Sequence, residues 1–194
     1  MSDEVNKVDF DFLKTMTYGM DKNAVLHDLM VDYGNDVWNY AFFLTKQADL
    51  SDDISQDTFL KVYEKIHTYR GGSSIKTWIL SIVRNTVRDY WRSAWKKKVT
   101  LTEKLLGFGK HPSAEAEVLA DTETKALWEI VLKLPLKLRE VLLLYAHHQL
   151  SIAEIAALLQ LSEGTVKSRL FRARAKVSKM MEQAEPGTMG GMLL

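Results

Sequence analysis

Between Ser151 and Lys176 the chain reads SIAEIAALLQLSEGTVKSRLFRARAK, and no other stretch constrains its fold so strongly. Ile152, Ile155, Ala156 and Leu159 recur at i, i+3, i+4 and i+7, one face of a helix that Ser151 can cap. Leu161-Ser162-Glu163-Gly164 breaks that pattern, and a second helix is expected from near Thr165. At about 100° per residue its buried side holds Val166, Leu170, Ala173 and Val177, while Lys167, Ser168, Phe171 and Arg172 point outward near its start. Two such helices around a tight turn form a helix-turn-helix, whose second helix lies in the major groove with its N-terminal residues against base edges. From Gln160 to Met180 six cations (Lys167, Arg169, Arg172, Arg174, Lys176, Lys179) oppose Glu163 alone, a local charge of +5. Such a run can also be the solvated face of an amphipathic helix. Ala156 at close approach, the Gly164 break and cations opposite the apolar stripe together favour DNA binding.

The 194 residues suffice for one large or two small domains, and 46% hydrophobic with 26% charged residues describes an ordinary globular protein. The formal net charge of +1 conceals an uneven distribution. With no cysteine, disulfides, thiolate chemistry and cysteine-based metal sites are excluded. The start, MSDEVNKVDFDF, lacks the basic and apolar regions of a signal peptide, and the apolar run Val141 to Ala146 falls far short of the ~20 residues of a membrane span. A cytoplasmic protein is expected.

Residues 1–21 read as an N-terminal extension. A helix is expected from about Asn23 to Lys46, with Val25, Leu26, Leu29, Met30, Tyr33, Val37, Tyr40, Ala41 and Leu44 on its apolar side. Ser51 is a candidate N-cap for a second helix, running to about Tyr69, with Asp52 and Asp53 in its first turn. On that helix Ile54, Phe59, Val62 and Ile66 face a core. Asp53, Gln56, Asp57, Leu60 and Glu64, at i, i+3, i+4, i+7 and i+11, form an acidic stripe. Between Asp28 and Glu64 eight carboxylates oppose Lys46 and Lys61, a net −6 that repels nucleic acid.

The loop Tyr69-Arg70-Gly71-Gly72-Ser73-Ser74 leads into a third helix, expected from about Ile75 to Lys97. Leu80, Val83, Val87, Trp91 and Ala94 share one face; Ser81, Asn85, Arg88, Asp89 and Arg92 share the other. Trp78 lies near Asn85, where it either stacks on a base or packs beneath the glycine loop. From Arg84 to Lys98 six cations oppose Asp89, a local +5. One small domain, residues 22–98, thus carries an acidic and a basic surface. Residues 99–121 read as a flexible linker, with Leu101, Leu105, Leu106 and Phe108 as its apolar cluster. The second domain, residues 122–182, opens with a helix from Thr122 to Leu134. It stops before Pro135 and resumes through His148, with Leu138, Val141, Leu142 and Tyr145 at helical spacing. Residues 183–194 read as a flexible tail. The fold class is all-α.

Three blocks carry a family resemblance: DDISQDTFLKVYEKI, YRGGSSIKTWILSIVRNTVRDYWR and LPLKLREVLLLYAHHQLSIAEIAALLQLSEGTVKSRLFRARAKV. In this order and spacing they resemble the extracytoplasmic-function (ECF) sigma factors of the sigma-70 family, two-domain promoter-recognition subunits of bacterial RNA polymerase. The resemblance implies that Asp53, Gln56, Asp57 and Leu60 dock on the clamp of the largest polymerase subunit. It implies that Arg70, Ser73, Ser74, Trp78, Asn85, Arg88 and Arg92 open the −10 promoter DNA and hold extruded bases. Lys167, Ser168, Phe171 and Arg172 would read −35 bases, with Thr165 beside them and Arg169, Arg174 and Lys176 on phosphates. Core polymerase, promoter DNA and an anti-sigma factor are the implied partners, with no catalysis, cofactor, metal or small-molecule substrate. Asp52-Asp53 stands where the family often carries Glu-Asp. Asp89, on the presumed DNA face, either orients Arg92 at i+3 or reads a cytosine amino group, and the first is favoured.

Two readings from other classes compete. Asp52, Asp53 and Asp57 could hold magnesium in an enzyme, but Gln56 stands where such motifs need a carboxylate, and no second acidic cluster accompanies them. His147 and His148, adjacent on a helix, point about 100° apart and suit a helix end better than a shared metal. A stand-alone regulator would use the helix-turn-helix but leaves the acidic stripe and basic third helix without a purpose.

Overall fold

A helix opens where Asp21 accepts a hydrogen bond from the Asn23 N–H at 2.9 Å, satisfying one of the free donors of its first turn. The computed structural model describes residues 21–100 and 122–184, and every regular element among them is helical. The chain divides into two units, Met1–Gly109 and Lys110–Leu194. All of the expected extension but Asp21, most of the linker and most of the tail lie outside the described residues.

In the first unit α1 (Lys22–Thr45), α2 (Ala48–Lys65) and α3 (Ile75–Thr100) pack against one another, with a 3₁₀ turn at Ile66–Thr68. Their shared core is made by Leu29, Val37, Tyr40 and Phe43 of α1, Ile54 and Val62 of α2, and Ile79, Leu80, Val83 and Val87 of α3. Each such aliphatic or phenyl side chain contributes about 1.5–3 kcal/mol relative to exposure. An ion pair of 2.8 Å between Asp36 and Lys76 ties α1 to the start of α3. Trp38 stacks on Phe42 and donates from Nε1 to Asp52 at 2.7 Å, tying α1 to α2.

Two local expectations need correction. Ser51 does not cap α2: the helix starts at Ala48 with Gln47 at the cap position, and Asp49, not Asp52 or Asp53, occupies the first turn. Ser51 is instead fully buried, its Oγ donating to the Gln47 carbonyl at 2.7 Å, because the left-handed turn at Lys46, φ 61°, puts the cap at Gln47, one helical turn before Ser51. Met30, expected on the apolar side of α1, is 47% exposed, since α1 is covered only where α2 and α3 reach it.

The second unit comprises α4 (Thr122–Lys133), α5 (Leu136–Ala146), α6 (Ile152–Leu159) and α7 (Glu163–Ala184), with α7 packed on the other three. Pro135 separates α4 from α5, its carbonyl accepting from the Leu138 and Arg139 N–H groups. On α5 the buried residues are Arg139, Glu140, Val141, Leu143 and Leu144, whereas Leu138 and Leu142 are half-buried and Tyr145 is 38% exposed. The expected face is therefore rotated: α5 packs on both α6 and α7, and its leucine run admits more than one apolar side. Arg139, 4% exposed, donates from Nη1 to the Leu132 and Leu134 carbonyls at 3.0 and 3.1 Å, closing the C-terminal end of α4. Burial lowers its pKa from the ordinary guanidinium value, with Glu140 opposing the shift.

Candidate nucleic-acid interface

Ser151 caps α6 as expected, within a full capping box. Its Oγ accepts from the Glu154 N–H at 3.2 Å, and the Glu154 carboxylate accepts from the Ser151 N–H at 2.9 Å. Ile155, Ala156, Leu158 and Leu159 are buried. The turn differs from expectation. Gln160, not Gly164, takes the left-handed conformation, at φ 57°, and Ser162 caps α7 by accepting from the Thr165 N–H at 3.2 Å. The helix thus starts at Glu163, two residues before Thr165, and Gly164 lies inside it. A Cβ added at Gly164 would meet only the Ser162 Oγ, at 4.0 Å.

On α7 the packing face is the expected one, with Val166, Leu170 and Ala173 buried and Val177 half-buried. Lys167, Ser168, Phe171 and Arg172 are exposed, Phe171 to 75%. Lys167 lies 3.8 Å from Glu163, and Ser168 Oγ donates to the Thr165 carbonyl at 3.0 Å. Thr165 shares a hydrogen bond of 2.9 Å with Ser162. At about 100° per residue, Ser168, Phe171 and Arg172 occupy the middle of the exposed arc. Thr165, Arg169 and Lys176 flank it on one side; Lys167 and Arg174 flank it on the other. Arg174 also lies over the Tyr145 ring at 5.0 Å, a cation–π contact beside an apolar cleft of about 240 Å³ between α4, α5 and α7 that the sequence did not disclose.

In the first unit the glycine loop is built on aromatic packing. Gly71 supplies a φ of 70°, Tyr69 is buried, and its hydroxyl donates to the Ser73 carbonyl at 2.6 Å. Trp78 packs against Tyr69, ring centroids 5.5 Å apart, so of its two expected roles the structure favours packing beneath the loop. Ser74 Oγ accepts from the Thr77 N–H at 3.1 Å and caps α3. Arg70, Asn85, Arg88 and Arg92 are exposed, and the last three share one face of α3. Asp89 accepts from Arg92 Nη2 at 2.9 Å, the i+3 pairing favoured from the sequence. The sequence reading missed Lys61 of α2, which reaches across to Thr86 and Asp89 of α3. Only the tertiary packing brings them together.

On α2, Asp53, Gln56, Asp57, Leu60 and Glu64 are all exposed, Leu60 to 63%. Asp52 turns away to Trp38. With Asp52 engaged and Asp53 and Asp57 facing solvent, the three aspartates do not converge on an enclosed pocket of the kind a magnesium-dependent enzyme requires. His147 and His148 end α5: both N–H groups donate to the Leu143 carbonyl, and the His148 side chain is 2% exposed.

Residues 29–97 match the family model described as Sigma-70 region 2, and residues 124–177 match Sigma-70, region 4. The ECF RNA polymerase sigma factor SigM of Bacillus subtilis strain 168 is 32% identical over 148 residues, which cover 76% of this chain and 90% of that protein. The chain belongs to the ECF sigma factors of the sigma-70 family. A second Bacillus subtilis relative, RNA polymerase sigma factor YlaC, is 30% identical over 161 residues, covering 82% of this sigma factor and 93% of its own length. The fold is shared with the sigma factor RpoE of Bartonella quintana, solved in complex with the anti-sigma factor NepR. Its TM-score is 0.66 at 21% identity, over 84% of this chain and 99% of that one. As a sigma factor the protein is a transcription initiation factor, not an enzyme, and directs RNA polymerase to promoters. No helix among its described residues is long and apolar enough to cross a membrane.

Proposed function

We propose that this sigma factor assigns three surfaces to three steps of initiation. The acidic stripe of α2, with Asp53, Gln56, Asp57 and Leu60, docks on the clamp of the largest core polymerase subunit. The loop and exposed face of α3 hold the opened −10 strand: Arg70, Ser73, Asn85, Arg88 and Arg92 contact bases and phosphates, while Ser74 and Trp78 shape the loop. On α7, Lys167, Ser168, Phe171 and Arg172 meet −35 base edges, and Thr165, Arg169, Arg174 and Lys176 hold the flanking backbone. The observation that carries this reading is the segregation of sign within one small unit. The exposed carboxylates of the α2 stripe and the exposed arginines Arg88 and Arg92 of α3 are carried by different helices, one charge suited to a protein partner and the other to DNA.

Affinity for DNA then rests on phosphate contacts and falls with salt, and each good base-edge pair discriminates by about 1–3 kcal/mol. Extruding bases costs a few kcal/mol, offset by stacking and charge contacts on α3. The RpoE structure, an anti-sigma complex, supports a similar protein inhibitor as a further partner. The proposed location is the cytoplasm, where the polymerase works.

Transcription in vitro with purified core enzyme, followed by mapping of transcript starts, tests the assignment. Arg172→Ala is expected to lower use of −35-dependent promoters about tenfold with core binding intact. Asp57→Lys is expected to abolish co-elution with core. Transcription at the parent level by both variants would refute the assigned surfaces.

A further inference from the structure

The side chain of Lys61 leaves the docking helix α2 for the DNA-facing helix α3. Its Nζ donates to Thr86 Oγ1 at 3.1 Å. Thr86 is 3% exposed and spends its own hydroxyl proton on the Ile82 carbonyl at 2.9 Å, so its oxygen is fixed as an acceptor for the ammonium. From that anchor Nζ lies 3.9 Å from Asp89 Oδ2, while Asp89 Oδ1 accepts from Arg92 Nη2 at 2.9 Å. One carboxylate thus bridges two cations through different oxygens.

We propose that Lys61 is a positioning residue for the −10 DNA surface, holding Asp89, and through it the Arg92 guanidinium, in the orientation that meets DNA. The inference rests on the assignment of α3 to DNA made above. A bare carboxylate on a DNA-facing helix opposes phosphate, and a long arginine side chain in solvent samples many rotamers. Lys61 answers both problems. It offsets the Asp89 charge, leaving the three groups with a net +1, and it steadies the carboxylate from a buried anchor that α3 itself provides. Because Lys61 directly follows Leu60, the helix carrying the docking stripe also fixes an arginine on the DNA side.

The test uses holoenzyme reconstituted from core and full-length chain, and a pre-melted bubble template cut from a promoter that this holoenzyme transcribes. Lys61→Met, which keeps the aliphatic stem, is expected to weaken bubble binding about threefold to fivefold, the upper range for a part-exposed ion pair. Core affinity should stay at the parent value. Thr86→Val should give a smaller loss in the same direction. In an Asp89→Asn background Lys61→Met should cost nothing further, since its effect passes through the carboxylate. An undiminished loss in that background would mean that Lys61 touches DNA itself and would overturn the proposal, as would a loss of core affinity. Arg92→Ala separates the two levels of the argument. If it weakens bubble binding while Lys61→Met does not, the positioning role fails and the DNA surface stands; if neither changes binding, both fail.

Discussion

Replacing Arg139 by methionine isolates the interaction that closes the promoter-reading unit. The methionine keeps most of the apolar stem but leaves the Leu132 and Leu134 carbonyls, at the end of α4, without their donor. Each hydrogen bond to a charged donor is worth about 1.5–3 kcal/mol, so the pair represents roughly 3–6 kcal/mol. Part is returned because the guanidinium no longer has to be desolvated, a cost visible in the lowering of its pKa by burial. A net loss of about 3 kcal/mol remains. A unit of this size has a total stability of only ~3–9 kcal/mol, and that loss lowers its Tm by about 12–24 °C. Trp128 lies in this unit and the other four tryptophans precede residue 100, so a chain keeping Trp128 as its sole tryptophan reports on this unit alone. The fluorescence transition of Arg139→Met should move down by that amount, with duplex −35 binding lost at 37 °C and core binding through the first unit retained. Arg139→Lys, with one point donor in place of a fork, should fall between. A Trp128 transition within about 3 °C of the parent would show that the α4 carbonyls do not depend on this arginine.

Gly164→Ala should stabilise the same unit by about 0.5 kcal/mol, since a helical glycine carries an entropic cost and the added methyl has room; urea unfolding would register it. Gln160→Gly should act in the same direction by a similar ~0.5 kcal/mol, relieving a left-handed φ on a residue with a side chain. Ser151→Ala, which removes the capping box of α6, should destabilise by about 1 kcal/mol in the same assay. In the first unit, burial raises the Tyr33 pKa, with smaller contributions from the charges of Asp32, Asp36 and Tyr69. A raised folded pKa gives stability that is complete below the unfolded value of about 10 and lost as pH climbs through the folded one. Alkaline unfolding should therefore steepen above pH ~10 in the parent and less so in Tyr33→Phe, followed by circular dichroism.

Surface patterns were legible because exposure and periodicity coincide there. The α7 packing face, the α2 stripe and the arginine row of α3 stood where the helical repeat put them, since each helix buries one side and wets the other. Failures cluster where a residue's environment comes from another element. Arg139 counts as a surface residue in any hydropathy pattern, and only the proximity of the α4 carbonyls explains its burial. On α5 three consecutive leucines hide which side is innermost. Ser51 looks like a cap but sits one turn inside, because the left-handed turn at Lys46 starts α2 earlier. In the helix-turn-helix the glycine drew attention to itself, yet glutamine took the strained conformation and the neighbouring serine took the cap. Lys61 carried no signal at all, because its partners lie 25 and 28 residues away on a different helix.

The outward placement of Ser168, Phe171 and Arg172, with Val166, Leu170 and Ala173 holding the opposite side, has an evolutionary corollary. Side chains that support no interior can be exchanged at a stability cost usually within about 0.5 kcal/mol. On the proposed assignment of these three residues to −35 base edges, a duplicated copy of this chain would drift toward a different set of genes through three codons, while its architecture stayed as it was.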